Sequence, residues 1–485
     1  MITADTRIYR RGEFHPFSSG DRKFLYLVPA GAIFELDEAS QKLIDTLAER
    51  EASHEQLMAE LTDNEVGGFS APEVEELIAE LYQSRVIVSD DLRAEPLQEA
   101  PEDFPLQTLV LNLTNQCNLS CQYCYEFGAD KVATPSGKPK FMDFETARSS
   151  VDFLLAKSGG RRTVHITFFG GETLMNFPLL EKVVTYARER AAGQGRSIDF
   201  SLTTNATLLT AAIIEFLSEN RIGVTVSMDG PAELHDKLRV FENGRGSYDV
   251  IEPRVRALIQ NHKTRPITAR VTLTSGVTDV VRIFRHLKND LGFHEVGFAP
   301  VTTSPNRLYA INERGMGDVL DQFHVLADEY LEYALRGEFH GFSNVSDTLS
   351  ELYQGVNKSH PCGAALGLVG VGPSGDIAPC HRFVDSDTHA LGHISTGIDQ
   401  KKQQDFLRRG HINSKYDCHT CWARPLCAGG CHHEAYVRYG DTGHPNLHYC
   451  DWIRNWTDTC LRIYGAISIH NPEFLKVFAE RKALS

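Results

Sequence analysis

Cysteine is absent from most of this chain, and its distribution is the most informative feature of the sequence. The 485 residues include eleven cysteines, but none precedes Cys117 and none lies between Cys124 and Cys362. An odd number of thiols in a tight cluster does not fit a disulfide scaffold, and in a reducing compartment clustered cysteines are more often metal ligands. The sequence therefore predicts metal-bound cysteines in two separate segments.

Basic runs and long apolar runs are also missing, and each absence excludes a class of protein. The net charge of −15 and the lack of a basic run argue against nucleic acid as a partner. No apolar run is long enough to span a membrane, and the polar start MITADTRIYRRGEFHPF lacks the apolar core of a signal peptide. We therefore expect a cytoplasmic protein without a membrane partner, and the length predicts two or three domains.

The N-terminal region reads as a small α+β unit. FLYLVP (24–29) and AIFEL (32–36) predict a β-hairpin, and three amphipathic helices follow. The Pro- and charge-rich stretch 91–105 predicts a linker. The expected domains are an N-terminal unit (1–95), an α/β domain (96–305), a helical connector (306–358), a cysteine-rich domain (359–460) and a helical tail (461–485).

From residue 106 onward, apolar strands alternate with amphipathic helices. Strands are predicted at 106–113, 162–172, 267–275 and 295–301, with two more between them in SIDFSLTTNAT and GVTVSMDGP. This alternation predicts parallel βα units in an open sheet or a barrel, in which chemistry occurs at the carboxyl ends of the strands. Four polar or cysteine-containing loops fall at such ends: Cys117–Cys124, Gly170–Glu172, Asn205 and Ser227–Asp229.

The first cysteine cluster lies in TNQCNLSCQYCYE (114–126), with the spacing C-x3-C-x2-C at Cys117, Cys121 and Cys124. Three thiolates on a [4Fe–4S] cube leave one iron open for another ligand. With the aromatic Tyr123 before its last cysteine, the motif resembles the signature of the radical S-adenosylmethionine (SAM) superfamily. The alternative for these residues is a zinc site completed by a distant ligand.

The resemblance implies a partial (β/α)6 TIM-like barrel of the α/β class. It also implies that the open iron binds SAM, and that a 5′-deoxyadenosyl radical then removes a hydrogen atom from the substrate. FFGGET (168–173) resembles the Gly-Gly-Glu motif of the family. There Gly170 and Gly171 let the backbone approach the cofactor, and Glu172 accepts a hydrogen bond from the SAM ammonium.

Two further loops carry implied SAM contacts. Asn205 in TTNAT is assigned to the SAM ribose by the same resemblance. Ser227 and Arg239 in SMDGPAELHDKLR are assigned to the methionyl carboxylate, for which a guanidinium is an apt partner. Asp229 is predicted as the catalytic residue, while site shaping, ribose binding and an ordinary Asp-Gly turn stay open as alternatives.

The remaining cysteines resemble the SPASM domain of radical SAM peptide maturases. CHTCWARPLCAGGC has the spacing C-x2-C-x5-C-x3-C; Cys362 and Cys380 precede it and Cys450 follows it, which leaves only Cys460 outside this seven-cysteine order. Zinc is the alternative for the four-cysteine block. The resemblance implies two auxiliary [4Fe–4S] clusters in addition to the SAM cluster. The distal one would be held by Cys418, Cys421, Cys427 and Cys450, and the proximal one by Cys362, Cys380 and Cys431.

The proximal cluster has only three assigned cysteine ligands and needs a fourth ligand. Relatives with eight ligating cysteines, such as sulfatase maturases, carry an extra one just before the first, whereas ELYQGVNKSHPC has none. Either Cys460 folds back to complete the cluster, or the position stays open for a substrate thiolate. Cys460 also fits the apolar side of an ordinary helix.

Taken together, the sequence resembles the radical SAM/SPASM peptide maturases, and most closely those that mature quinohemoprotein amine dehydrogenase. That resemblance implies thioether bonds from Cys sulfur to Asp or Glu methylene carbons of the dehydrogenase γ subunit. It implies a Cys-containing peptide with a leader as substrate, gripped by a winged-helix-like N-terminal domain, and an electron donor such as flavodoxin or ferredoxin. Another thioether synthase, a formylglycine-generating sulfatase maturase and a non-enzymatic electron-transfer protein are the alternatives.

Overall fold

The computed structural model describes residues 7–63, 68–90, 104–134 and 136–481, so most of the predicted linker 91–105 lies outside it. The predicted hairpin and the three helices of the N-terminal unit are confirmed, and an additional strand, Phe14–Ser19, joins the hairpin. Asp37 caps the first helix, since its carboxylate accepts from the Ser40 N–H at 2.7 Å. The elements are β1 Ile8–Arg11, β2 Phe14–Ser19, β3 Arg22–Leu27, β4 Ala32–Leu36, α1 Glu38–Glu49, β5 Ala52–Ser53, α2 His54–Thr62, α3 Ala71–Gln83 and β6 Ile87–Val88.

Strand β3 belongs to two hydrophobic cores at once, because successive side chains of a strand point to opposite faces. Leu25 and Leu27 pack in the small core of the N-terminal helices. Phe24 and Tyr26 pack in the large core that extends through the rest of the molecule. The alternation of β3 therefore fixes the N-terminal unit to the body of the protein.

The central α/β region has the predicted alternation of strands and helices. Its six strands are all parallel, in the spatial order β12-β11-β10-β9-β8-β7, which is the order of a partial (β/α)6 barrel. Parallel strands of this kind bring the six carboxyl ends to one rim. The elements are β7 Thr108–Asn112, α4 Phe144–Lys157, β8 Thr163–Phe169, α5 Phe177–Ala192, β9 Ser197–Thr204, α6 Ala211–Glu219, β10 Gly223–Ser227, α7 Ala232–His235, α8 Tyr248–Asn261, β11 Ile267–Leu273, α9 Val280–Arg285 and β12 Glu295–Pro300.

The cysteine-rich region extends this same sheet. Its first strand, β13, pairs in parallel with β7, and three short antiparallel strands follow, so the sheet has ten strands. The sequence here shows no clear periodicity, because the strands are only two to four residues long. The elements are β13 Leu368–Val371, β14 Asp376–Ala378, β15 Gly392–His393, β16 Gly397–Ile398, α12 Gln400–Gly410, α13 Arg424–Cys427 and α14 His432–Tyr439.

Helices predicted in the connector and the tail are confirmed. They are α10 Glu313–Leu335 and α11 Ser343–Tyr353, followed at the end of the chain by α15 Cys450–His470 and α16 Val477–Arg481. Helix α15 runs without interruption across residue 460, where the sequence predicts the end of the cysteine-rich domain. Within the described ranges, no helix is both long and apolar enough to cross a bilayer.

Candidate active site

The carboxyl ends of the barrel strands surround a cavity of about 520 Å³. Cysteine thiols, backbone glycines and polar side chains from four different strand ends contribute to its wall. Asp229, the predicted catalytic residue, is not part of that wall. The predicted residues that line the cavity are Cys117, Cys121, Tyr123, Cys124, Gly170, Gly171, Glu172, Asn205, Ser227 and Arg239.

The three thiols of the loop after β7 face this cavity in a buried environment. Burial, above all, raises the pKa of Cys117 and that of Cys124 to about 12. The Leu119 N–H lies 3.4 Å from the Cys117 sulfur and the Asn205 amide nitrogen lies 3.7 Å from it. Since coordination to a metal deprotonates a thiol, these donors are placed to stabilise a metal-bound thiolate.

Gly170 and Gly171 line the cavity, and their lack of a side chain also lets the backbone of the cysteine loop pack against them. A Cβ on Gly170, whose φ is +129°, would lie 2.3 Å from the Thr114 carbonyl oxygen. A Cβ on Gly171 would lie 2.3 Å from the Gln116 carbonyl oxygen. The Gly171 and Glu172 N–H groups donate to these two carbonyls at 3.1 and 2.9 Å. The glycine pair therefore holds the backbone that leads into Cys117, a role that the sequence did not predict.

The Glu172 carboxylate is buried and joins the ends of β8 and β9. Its Oε1 accepts from the Leu174 N–H at 3.0 Å and the Thr204 hydroxyl at 2.7 Å. Its Oε2 accepts from the Asn205 N–H at 2.7 Å. Burial raises the pKa of Glu172. These hydrogen bonds act in the opposite direction, because they stabilise the charged carboxylate. Within the cavity wall, Glu172 thus positions Asn205 through the backbone.

The Asn205 side chain contacts the cysteine loop. Its Nδ2 donates to Asn118 Oδ1 at 3.1 Å, and its Oδ1 accepts from the Thr207 N–H at 2.9 Å. The amide thus lies between the Cys117 sulfur and the turn after β9. The role assigned to Asn205 at the SAM ribose stays a prediction.

Asp229 and Arg239 form a buried ion pair, in which Arg239 Nε donates to Asp229 Oδ2 at 2.7 Å. The Tyr123 hydroxyl donates to the same oxygen at 2.5 Å, and the Thr272 N–H donates to Oδ1 at 2.9 Å. The Arg239 guanidinium also lies over the Tyr123 ring, 5.4 Å from its centroid. Burial opposes the charge of Arg239, but the Asp229 carboxylate raises its pKa.

A histidine that the sequence did not single out connects the backbones of this pair. The Asp229 N–H donates to His235 Nδ1 at 3.2 Å, so Nε2 carries the proton and donates to the Ser247 hydroxyl at 2.9 Å. Ser247 in turn donates to the Arg239 carbonyl at 2.8 Å. Burial lowers the pKa of His235 to about 3, which keeps the ring neutral. The sequence feature that could have identified His235 is its position between Asp229 and Arg239, on the short helix α7.

Glu126 is a second residue that the sequence left unassigned. It follows the third cysteine, lines the cavity and accepts from Asn112 Nδ2 at 3.3 Å. Burial, followed by repulsion from Asp385, raises the pKa of Glu126 to about 8. The cavity therefore contains a carboxyl group that is protonated near neutral pH.

Five of the C-terminal cysteines line a second cavity of about 380 Å³, which adjoins the first. Burial raises the pKa of Cys418 to about 11, and its neighbours Cys427, Cys450 and Cys421 raise it further. The four cysteines assigned to the distal cluster are thus brought together around this cavity, although they are up to 32 positions apart in sequence. Cys431 contributes to the same wall.

The three proximal cysteines also lie near one another. Burial raises the pKa of Cys380 to about 12, and the neighbouring Cys431 and Cys362 raise it further. The fully buried Lys415 lies between the proximal and distal sets, where its Nζ donates to the Ala428 carbonyl at 3.2 Å. Desolvation lowers its pKa, and cysteines of both sets act in the opposite direction.

Cys460 is placed elsewhere. It is fully buried in α15, its thiol lies near Thr348 on α11, and it lines neither cavity. Burial raises its pKa far above that of an ordinary thiol. The geometry therefore matches the helix-core interpretation of Cys460.

The donor sets fit iron–sulfur clusters in their chemistry. Among the described residues, no group of three or more His, Cys, Asp or Glu side chains is arranged to hold a single metal ion. A cube of four irons and four sulfides is larger than one ion, so its thiolates stand further apart. Three thiols in one group and seven in the other, of which eight line the two cavities, are such a donor set.

Comparison with known proteins places this geometry in a family. Residues 111–303 match the model of the radical SAM superfamily. An uncharacterised protein of Methanocaldococcus jannaschii is 38% identical over 142 residues, which cover 29% of this chain and 45% of that protein. The serine-type anaerobic sulfatase-maturating enzyme of Bacteroides thetaiotaomicron is 27% identical over 377 residues, which cover 72% of this chain and 88% of that enzyme.

A solved structure shares the fold. "Native anSMEcpe with bound AdoMet" superimposes with a TM-score of 0.63 at 21% sequence identity, covering 77% of this chain and 100% of that chain. Residues 111–303 are therefore a radical SAM domain, in a chain related to the anaerobic sulfatase-maturating enzymes.

Proposed function

We propose that this chain is a radical SAM enzyme that forms thioether crosslinks in a peptide or small protein. The bonds would join Cys sulfur to a methylene carbon of Asp or Glu, as in maturation of the quinohemoprotein amine dehydrogenase γ subunit. The observation that carries this proposal is the set of three neighbouring proximal cysteines, while Cys460 is buried in the helix α15. A proximal cluster with three protein thiolates has one position left for a substrate thiolate.

The chain's own residues divide the work between binding and positioning. Cys117, Cys121 and Cys124 would hold the cluster that binds SAM, and Ser227 and Arg239 would bind the methionyl carboxylate. When bound, the cluster and SAM supply the radical that removes a hydrogen atom from the substrate. Asp229 holds Arg239 by the ion pair at 2.7 Å and leaves the Nη groups of that guanidinium for a ligand.

The auxiliary sites define where the substrate lies. Seven cysteines would hold two clusters, with the distal set closed by four thiolates and the proximal set by three. The two cavities adjoin, so a peptide that enters the first can reach Cys431, the proximal cysteine that lines the second. The N-terminal unit, with the hairpin β3–β4, would grip a leader peptide by strand addition, and a flavodoxin or ferredoxin would supply electrons.

A formylglycine-generating sulfatase maturase is the second candidate. The relationship to the Bacteroides thetaiotaomicron sulfatase-maturating enzyme favours it. Against it is the missing cysteine before Cys362, which the family resemblance leads one to expect in such enzymes. A non-enzymatic electron-transfer protein would need neither the Gly-Gly-Glu loop nor the Asp229–Arg239 pair.

Anaerobic reconstitution followed by incubation with a Cys- and Glu-containing peptide, SAM and a reductant tests the proposal. We expect about twelve irons per chain, formation of 5′-deoxyadenosine and loss of two hydrogens from the peptide, with the free thiol consumed. Tandem mass spectrometry locates the new bond. Conversion of the cysteine to formylglycine would establish the second candidate, and deoxyadenosine formation that survives replacement of Cys117, Cys121 and Cys124 by Ala would overturn the SAM assignment.

A further inference from the structure

The two cavities share one short stretch of wall. Five residues line both of them: Arg270, Ala299, Pro300, Thr302 and Arg382. Two of these five are arginines, and the other three carry no charge. A ligand that extends from the SAM side to the cysteine-rich side must therefore pass two guanidinium groups.

Arg270 lies on β11, on the face opposite the buried Ala269 and Val271. Its Nη1 passes close to Gly297, where an added Cβ would lie 3.1 Å from that nitrogen. Burial by surrounding protein lowers its pKa; attraction by Asp347 acts in the opposite direction, and repulsion by Arg382 lowers it further. Arg270 and Arg382 both belong to the stretch of wall that the two cavities share.

Arg382 approaches from the other side, from the turn after Cys380. Its Nη1 donates to the Thr302 hydroxyl at 3.0 Å, and its guanidinium lies over the Tyr125 ring, 4.9 Å from the centroid. Burial opposes its charge, whereas Cys431 and other anionic groups, including Glu434, raise its pKa. These two contacts, with a hydroxyl group and an aromatic ring, fix the direction of the guanidinium. They leave other N–H groups of the guanidinium for a ligand.

Both arginines at this passage have anionic neighbours, but neither is directly bonded to a carboxylate. In the part of the chain that the structure describes, no ion pair joins Arg270 or Arg382 to a carboxylate. By contrast, Arg239 in the same cavity pairs with Asp229 at 2.7 Å, and Arg424 in the second cavity pairs with Glu13. Two guanidinium groups on one stretch of cavity wall, neither bonded to a carboxylate, can receive a planar anion.

We propose that Arg270 and Arg382 together bind a carboxylate side chain of the substrate peptide at the passage between the two cavities. The inference rests on the proposed peptide-modifying function and assigns two specificity-determining residues to it. A second source of the same chemistry is the methionyl carboxylate of SAM. The peptide is favoured because the arginines belong to the wall of both cavities, whereas SAM is assigned to the first alone.

The position also has a consequence for the reaction. A carboxylate bound here holds the methylene carbons of an Asp or Glu side chain at the rim of the SAM cavity. The same peptide's cysteine would then lie on the side of Cys362, Cys380 and Cys431. The arginine pair would thus select an acidic side chain over its amide as the carbon partner of the crosslink.

A double-mutant cycle tests this with binding alone. The anaerobic holoprotein with SAM is titrated calorimetrically with N-acetyl-Cys-Gly-Gly-Glu amide and with its Gln counterpart. Because a charge-assisted hydrogen bond to a guanidinium on the cavity wall is lost, we expect the Gln peptide to bind about ten- to a hundredfold more weakly. Arg270→Gln and Arg382→Gln should abolish this difference, and Arg270→Lys should restore part of it.

Arg285→Gln is the matched control, because Arg285 forms an exposed ion pair with Glu329 and lines neither cavity. Iron content is measured for every variant. Since Arg382 lies near the proximal cysteines, loss of iron in Arg382→Gln would assign that residue to the cluster. Arg270 lies on a barrel strand and not next to a cluster cysteine, so Arg270→Gln decides the test even if Arg382→Gln loses iron.

Three results would overturn the proposal. They are equal affinities of the two peptides for the unmodified protein, a Glu preference that persists in Arg270→Gln, and a loss of SAM affinity with the peptide preference intact. The last would assign the pair to the methionyl carboxylate. A Glu preference without crosslinked product would keep the arginine site and overturn the thioether chemistry, so the two failures are distinguishable.

Discussion

The Arg239 guanidinium and the Asp229 carboxylate are paired at 2.7 Å, with both side chains buried. The arginine predicted to bind the SAM carboxylate thus already has a carboxylate partner, bonded through Nε. Both oxygens of the predicted base accept hydrogen bonds, from Tyr123, Arg239 and the Thr272 backbone. This arrangement favours Asp229 as a positioning residue for Arg239.

Asp229→Asn should weaken SAM binding and destabilise the fold. Removing one partner of a buried ion pair costs about 3–5 kcal/mol because the other charge is left uncompensated. We expect a lower unfolding midpoint in anaerobic denaturant titrations of the holoprotein, together with a raised dissociation constant for SAM. Arg22→Gln, which breaks an exposed pair with Glu35, should change the unfolding free energy by about 1 kcal/mol or less.

If Asp229 acts instead as a catalytic base, the same variant gives a different pattern. SAM affinity and deoxyadenosine formation without peptide would then be unchanged, and product formation alone would be lost.

Gly170→Ala should disrupt the cysteine loop. The new Cβ would meet the Thr114 carbonyl at 2.3 Å, at a φ of +129° that residues with a side chain rarely adopt. Displacing backbone in a packed region costs about 1–3 kcal/mol and moves the loop that carries Cys117. We expect about four fewer irons per chain after reconstitution. Gly160→Ala is the control, since nothing lies within 4 Å of its added Cβ; equal iron in both variants would contradict the prediction.

Stability should fall as the pH is lowered, in part through His235. Its pKa is about 3 in the folded protein and 6.5 for an ordinary histidine, so the unfolded chain binds more protons between these values. The contribution is fully present above about pH 6.5 and is lost as the pH falls towards 3, amounting to about 1.4 kcal/mol between about pH 7.5 and about pH 5.5. Urea titrations at both pH values measure it. In His235→Gln the loss should be smaller, and an equal loss would show that other groups are responsible.

Cys460→Ala should leave the iron content unchanged. Its thiol is buried in the core near Thr348 and has no other cysteine among its charged neighbours, so we expect no cluster to depend on it. Cys427→Ala, in the distal set, should lose about four irons and destabilise the C-terminal region. Iron and sulfide assays with Mössbauer spectra of both variants decide between the two interpretations. Iron loss in Cys460→Ala would make that residue the fourth proximal ligand and remove the principal support for an open site.

The α/β fold and its active rim followed from local patterns. Apolar strands that alternate with helices must pair in parallel, and parallel pairing brings the loops after β7, β8, β9 and β10 to one rim. The cysteine spacings are equally local, since a cluster ligand set can be recognised from a few residues of sequence. The caps and the hairpin of the N-terminal unit were predictable for the same reason.

The tertiary structure decided which of these groups pair with one another. No sequence pattern shows that the Asp229 carboxylate binds Nε of Arg239, or that Cys460 lies near Thr348. Nor does any pattern show that Gly170 and Gly171 pack against the backbone before Cys117. These contacts depend on register and side-chain direction across elements far apart in the chain. Arg270 and Arg382 are 112 positions apart, and only the joining of β13 to β7 in one sheet brings them to the same passage.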